Sequence, residues 1–258
     1  MNYKNILTNL VMESHINQVI DLYDPIKLEE MDAVKLMNRT DTKYVLNANL
    51  IYEILYKAQH YYRILDINQS RQFQYVTTYY DTDNFNMYRE HLNGKLNRYK
   101  IRQRRYDITG KEFFEIKFKN NKGKTLKNRI VNEQDKVLNE LTNSFLQKKT
   151  PYAACELRET LQNTFIRITL VDNNKSERAT LDYNLSFSAN NNLKYLPQLG
   201  IVEIKQDSQS GNSPLVDILK NMSIREGGIS KYCLGVASLY NNLKINRLKP
   251  QLLKIQNL

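Results

Sequence analysis

The stretch Lys100-Ile101-Arg102-Gln103-Arg104 constrains this chain more than any other feature. Side chains at positions i, i+2 and i+4 of a strand project from the same side, so these three cations line one face. In Phe114-Glu115-Ile116-Lys117-Phe118-Lys119 the aromatic and aliphatic residues take one face, while Glu115, Lys117 and Lys119 take the other. The pattern returns at Arg39-Thr40-Asp41-Thr42-Lys43, at Arg167 with Thr169, at Arg178 with Thr180 and Asp182, and at Glu203 with Lys205. A sheet with one solvated face would account for any single strand of this kind. It accounts poorly for the set, in which cations dominate, acids are few and the opposite faces are strongly apolar.

The rest of the chain supplies a frame for such a sheet. Asp24-Pro25 opens an expected helix to about Asn38. Asn47 or Asn49 caps a second through Ala58, with Ile51, Ile54, Leu55 and Ala58 as its apolar stripe. Strands are expected at 73–80, 95–106, 111–119, 124–130, 154–160, 164–171, 176–187 and 200–206, and helices at 133–147, 214–222 and 231–240. The basic tail, Lys244 to Lys254, reads as a solvated helix end. Strands that follow one another through short turns make an antiparallel sheet, and this many make a barrel. With helices outside, the apolar faces meet the helices and the charged faces line a lumen. Cations packed in a lumen are costly unless a polyanion or water fills it. The pattern therefore predicts its own ligand, a run of phosphates.

At 258 residues and 41% hydrophobic the chain has the size and composition of one large domain or two small ones. Its net charge of +11 favours polyanionic partners. No stretch approaches the apolar length of a membrane-spanning helix, and the N-terminus lacks the small-residue cleavage site of a signal peptide. The two cysteines, Cys155 and Cys233, form no C-x-x-C pair, which points to a reducing cytoplasm. The histidines, His15, His60 and His91, show no metal-ligand spacing.

In order and spacing these elements resemble the catalytic domain of the vacuolar transporter chaperone (VTC) family. This is a branch of the triphosphate tunnel metalloenzymes, and the likeness is to its bacterial polyphosphate polymerases. The resemblance runs from about Arg39 to Tyr240. It is carried by R-x-D-x-K-Y at 39–44, Y-Y-D-T at 79–82, K-x-R-x-R at 100–104, F-E-I-K at 114–117, R-x-T at 167–169, E-R-A-T-L-D at 177–182, V-E-I-K at 202–205 and S-K-Y at 230–232.

The resemblance implies an α+β fold: a closed antiparallel eight-stranded β-barrel tunnel with surrounding helices, spanning residues 1–258 as one domain with its core at about 39–240. It implies that Lys43, Arg102, Arg104, Lys117, Arg167, Arg178 and Lys231 contact the reacting phosphates. Arg39, Tyr80, Lys100, Lys205 and Ser230 would help to hold substrate, with Tyr80 near the nucleotide. Glu203 would be the carboxylate for Mn²⁺ or Mg²⁺. The implied partners are ATP and inorganic polyphosphate, with no nucleic acid and no membrane span of the chain's own, so that any membrane link comes through a separate protein. The implied activity moves the γ-phosphoryl group of ATP onto a polyphosphate chain.

Hydrolytic and cyclase members of the superfamily usually carry E-x-E-x-K on the first strand, where this chain has Arg39-x-Asp41-x-Lys43. That departure favours the polymerase branch over a tripolyphosphatase, which would want more acids in the lumen. A binding module without turnover would gain little from Glu203. A nucleic-acid binder would cluster its cations with aromatics on an open face. Glu115 reads either as a second metal or water-positioning carboxylate or as a structural partner for Arg102 or Arg104, with the structural reading favoured. Gly227-Gly228, just before Ser230, reads as a turn, or as a place where the backbone approaches a phosphate or hinges a closing helix.

Overall fold

The computed structural model describes residues 3–32, 39–134, 136–174, 176–207 and 212–258, with backbone only at 3–10, 32 and 39. Its elements in chain order are α1 (Tyr3–Ile20), β1 (Pro25–Ile26), α2 (Leu28–Asp32), β2 (Arg39–Asn47), α3 (Ile51–Ala58), β3 (Tyr62–Leu65), β4 (Phe73–Asp81) and α4 (Asn86–Leu92). Then come β5 (Arg98–Tyr106), β6 (Glu112–Lys119), β7 (Thr125–Val131), α5 (Glu140–Lys149), β8 (Arg158–Asp172), β9 (Glu177–Ala189), β10 (Asn192–Leu196), β11 (Leu199–Asp207), α6 (Pro214–Asn221), α7 (Lys231–Leu239) and α8 (Lys249–Gln256). The fold is α+β.

Eight strands follow one antiparallel path, β2-β11-β9-β8-β4-β5-β6-β7, with β3 and β10 added beside β8 and β9 and β1 parallel to β3. The turn chemistry explains several links. Asn190 and Asn191, both at positive φ, make the two-residue hairpin between β9 and β10. Asn47 caps the turn into α3 by accepting from the Asn49 N–H, and Ile51, Ile54, Leu55 and Ala58 form the buried stripe.

Alternation sorts the sheet into two faces. On the outer face Tyr44, Leu46, Ile168, Leu170, Ala179, Leu181, Val202 and Ile204 pack against Met12, Ile16 and Val19 of α1, the stripe of α3, and Leu215 and Leu219 of α6. Tyr80, Ile101, Phe114 and Ile116 do the same against Leu146 of α5. The charged residues therefore share the inner face.

That face is concave. A flat sheet would set β2 and β5, five spacings apart in the order, at about 24 Å. Instead one short segment reaches both: Glu226 bridges Tyr44, the Gly227 N–H donates to the Lys43 carbonyl at 2.8 Å, and Ser230 Oγ accepts from Lys100 Nζ at 2.9 Å. The expected barrel thus appears as an eight-strand curl. Among the described residues no ladder joins β7 to β2, and Glu226 and Gly227 pair with β2 at Tyr44 and Lys43.

Helix α7 fills one end of the curl. Tyr232, Cys233, Leu234 and Val236 pack among Val45, Tyr79, Leu161, Leu185, Phe187, Leu199 and Ile201. Gly235 permits the close approach, since a Cβ there would lie 2.4 Å from Leu161 Cδ2 and 2.6 Å from Phe187 Cδ1.

Several local expectations change. The segment from Asp24 does not open a helix: Pro25 and Ile26 pair with β3, because the Asp24 and Ile26 carbonyls accept from the N–H groups of Ile64 and Asp66. The helix that follows is the short α2, and the rest of the expected helix, 33–38, lies outside the described residues. The helix expected from 133 starts at Glu140, where Asn139 and Thr142 form a capping box. The strands expected at 154–160 and 164–171 are one long strand, β8, with register shifts absorbed at Tyr79/Tyr80 and Thr164/Ile166. The basic tail is no solvated end: Leu248 and Ile255 are buried in the core beside α7, and Gln251 donates to the Gly228 carbonyl at 2.8 Å.

Candidate active site

Seven strands and one helix end bring charge to the inner face. β5 contributes Lys100, Arg102 and Arg104, and β6 contributes Glu115 and Lys117 opposite Lys127 and Arg129 of β7. β8 contributes Arg167, β9 Arg178 and Asp182, β11 Glu203 and Lys205, and β2 Asp41 and Lys43. Lys231 enters from the N-terminus of α7, where Ser230 is the cap, accepting from the Cys233 N–H.

The carboxylates divide these cations into groups. Glu115, fully buried, accepts from Arg102 Nε at 2.7 Å and pairs with Lys127. Burial pushes the Glu115 carboxyl up, but Arg102, Arg104 and Lys127 outweigh it and hold the group well below the usual carboxylate range. Asp182 receives Arg167 in a two-pronged contact, Nε to Oδ1 at 2.6 Å and Nη2 to Oδ2 at 2.7 Å, and also Lys231 on Oδ2. Glu203 pairs with Lys205 and, at 3.9 Å, with Lys43, while Lys205 reaches Asp41 at 3.6 Å.

Other inward cations, among them Lys100, Arg104 and Lys117, lack an ion pair of this kind among the described residues. Among the described residues no carboxylate forms an ion pair with Arg104, which donates to Thr77 Oγ1 at 3.1 Å and lies over the stacked rings of Tyr75 and Phe165. The same holds for Lys117, whose ammonium is pushed well below its ordinary pKa by Arg102 first, then by burial and Arg104. Burial and mutual repulsion also bring Lys100, Lys127 and Lys231 down to about 8, in Lys100 with Lys43 and in Lys231 with Arg167 among the repelling neighbours. An interior with this much unmet positive charge is arranged for an anion that is not part of the protein.

The structure therefore gathers Lys43, Lys100, Arg102, Arg104, Lys117, Arg167, Arg178, Glu203, Lys205, Ser230 and Lys231 around one interior. Tyr80 is placed elsewhere. It packs on the outer face against Phe114, and the inward position on β4 belongs to Tyr79, opposite Arg102 and stacked on Tyr232 at 5.0 Å. Successive strand residues face opposite ways, so Tyr79 follows Tyr75 and Thr77 inward while Tyr80 faces out, an alternation the sequence itself carries. The side chain of Arg39 lies outside the described residues. Sequence reasoning missed Lys127 and Arg129, although their i, i+2 spacing on β7 is the same signal that singled out β5.

A curled antiparallel sheet with helices outside and a polycationic interior defines a cationic-tunnel protein. The family model described as the VTC domain matches residues 38–240, and the chain belongs to that family. A search of curated proteins found no match. Among solved structures, the chain is similar to a proposed adenylate cyclase from Bacillus halodurans (13% identity, 80% of this chain and 100% of that one, TM-score 0.47). It is also similar to the PH1819 protein from Pyrococcus horikoshii (16%, 77% and 96%, 0.46). A third is a Hippeastrum protein described as having a dominant triphosphatase activity (14%, 78% and 96%, 0.42). Likenesses at these TM-scores carry no functional conclusion.

Proposed function

We propose that this domain is a polyphosphate polymerase, moving the γ-phosphoryl group of ATP onto the end of an inorganic polyphosphate chain. The observation that supports it most is the surplus of inward cations, above all Arg104 and Lys117, which form no ion pair with a carboxylate among the described residues. Phosphoryl transfer asks little covalent chemistry of a protein; it needs in-line placement and positive charge on the equatorial and leaving oxygens. Arg102, Arg104, Arg167 and Arg178 supply planar forks that grip two oxygens, and Lys43, Lys100, Lys117 and Lys231 supply movable point charges. The acceptor phosphate is already anionic, so no general base is required.

A divalent cation, Mn²⁺ or Mg²⁺, fits as a companion of the phosphates. Among the described residues no three His, Cys, Asp or Glu side chains cluster to make a resident site. Glu203 would hold the ion together with phosphate oxygens, as such ions are commonly held by one or two carboxylates plus substrate, and the ion would neutralise developing charge. No helix among the described residues is long and apolar enough to cross a membrane. A cytoplasmic setting, with any membrane attachment made through a separate protein, completes the reading.

The test is to incubate the protein with ATP and Mn²⁺ and to resolve products on a gel with and without an exopolyphosphatase, beside Glu203→Gln. A ladder of long chains, removed by the exopolyphosphatase and missing from the variant, is the expected result. Release of free phosphate without chains would overturn the polymerase reading in favour of a triphosphatase.

A further inference from the structure

Asp182 lies at the meeting of three elements. It projects inward from β9, is 1% exposed, and accepts from Arg167 of the adjacent strand β8 and from Lys231 at the start of α7. Burial pushes its carboxyl up, yet Arg167 and Lys231 outweigh burial and hold it at about 2, so it stays ionised. Beneath it, Phe165 presents its ring to the same two cations, with Lys231 Nζ 4.5 Å and Arg167 Cζ 5.2 Å from the centroid. An aromatic face attracts cations without cancelling their charge. Arg167 and Lys231 are thus held side by side by one carboxylate and one ring, in a site rich in like charge. Without the carboxylate they would repel one another, and Lys231, reaching in from a separate helix, would have no fixed place.

We propose that Asp182 is a positioning residue: in the ligand-free interior its carboxylate holds Arg167 and Lys231 in the arrangement that an incoming phosphate then takes over. This rests on the reading of the interior as a phosphoryl-transfer site. A residue of this kind opposes ground-state binding slightly, because its negative charge competes with the substrate's, while favouring the reactive arrangement. A purely structural carboxylate has no reason to separate the two.

The experiment compares wild type, Asp182→Asn and Asp182→Glu. Thermal melts establish folding, titration calorimetry gives tripolyphosphate affinity, and acetic anhydride labelling read by mass spectrometry gives the reactivity of Lys231. Chain elongation gives kcat and KM. Asp182→Asn should bind tripolyphosphate as tightly as wild type or more tightly. Its kcat should fall about 100-fold, the scale of a small misplacement of reacting groups, with partial recovery in Asp182→Glu. Lys231, having lost the partner that favours its protonated form, should label about tenfold faster, the equivalent of one pKa unit. Unchanged Lys231 labelling would overturn the proposal, as would affinity and kcat falling by the same factor. Failure of both variants to fold would assign Asp182 to the fold and overturn it as well. If wild type elongates no chains, the polymerase reading falls, while labelling and affinity still decide whether Asp182 positions the two cations.

Discussion

Replacing Glu115 with glutamine should destabilise the empty protein and make it depend on a polyanion. The carboxylate is fully buried and neutralises Arg102 and Lys127, with Arg104 and Lys117 close by. Glutamine keeps the shape and removes the charge, leaving those cations to face one another. Breaking a buried ion pair from one side costs about 3–5 kcal/mol. At about 2–4 °C per kcal/mol for a domain of this size, Tm should fall by about 10 °C. The depressed pKa fixes the pH window. A carboxyl held below its unfolded value stabilises above that value and loses its contribution as pH falls through the folded pKa, so the deficit should persist from neutral pH down to about 4. Saturating tripolyphosphate should narrow the gap. The ligand stabilises both proteins, by about 2.7 kcal/mol at a hundred times Kd, and the variant, richer in unmet charge, should bind it more tightly. Differential scanning calorimetry with and without ligand is the assay. A variant as stable as wild type, or a gap that tripolyphosphate leaves unchanged, would refute the reasoning that Glu115 stands in for missing negative charge.

Two other perturbations test the same picture. Lys100, Lys127 and Lys231, lowered to about 8 chiefly by burial, should lose their protons between pH 7 and 9. Tripolyphosphate affinity should weaken over that range, with proton uptake on binding near pH 8, measurable by calorimetry in buffers of different ionisation enthalpy. The empty protein should move the other way, gaining stability as pH rises, because the unfolded lysines keep their protons to about 10.4 while the folded ones shed theirs. Gly235→Ala would push a methyl into Leu161 and Phe187, costing about 1–3 kcal/mol by overpacking, visible as a lower Tm.

The sheet was legible because charge and apolarity alternate through the middle of β5, β6, β9 and β11, at 100–102, 114–119, 178–182 and 202–205, and a period of two survives without any knowledge of neighbours. The stripe of α3 was readable for the same reason, on a period of 3.6. What escaped depends on residues far apart in the chain. Helix α4 begins after Phe85, at positive φ; its first N–H, of Asn86, donates to Thr82 Oγ1 at 3.1 Å, and the next two, of Met87 and Tyr88, donate to the Asp81 carboxylate at 2.9 Å, rather than to an adjacent capping residue. The same carboxylate also takes the Tyr232 hydroxyl at 2.5 Å, a link between strand and helix that no local pattern announces. In the site, the cations could be found one strand at a time. That Asp182 would hold Arg167 and Lys231 was settled by the pairing of β8 with β9 and by the docking of α7, neither of which a local pattern announces.

The position of β2 in the sheet also bears on how the chain reaches its folded form. Its strand partner is β11, with Asn47 opposite Leu199 and Arg39 opposite Asp207, and its other edge meets Glu226. Both neighbours are translated long after β2 itself. At about 5–20 residues per second, β2 waits on the order of ten seconds on the ribosome with no strand to pair with. The β4-to-β9 part of the cationic face can pair before β11 is made, and the cavity is closed on its β2 side only when the last quarter of the chain arrives. Contacts so distant in sequence imply slow folding and a nascent chain exposed to mispairing, so a cellular polyanion able to fill the nascent cavity would act on folding as well as on the finished protein.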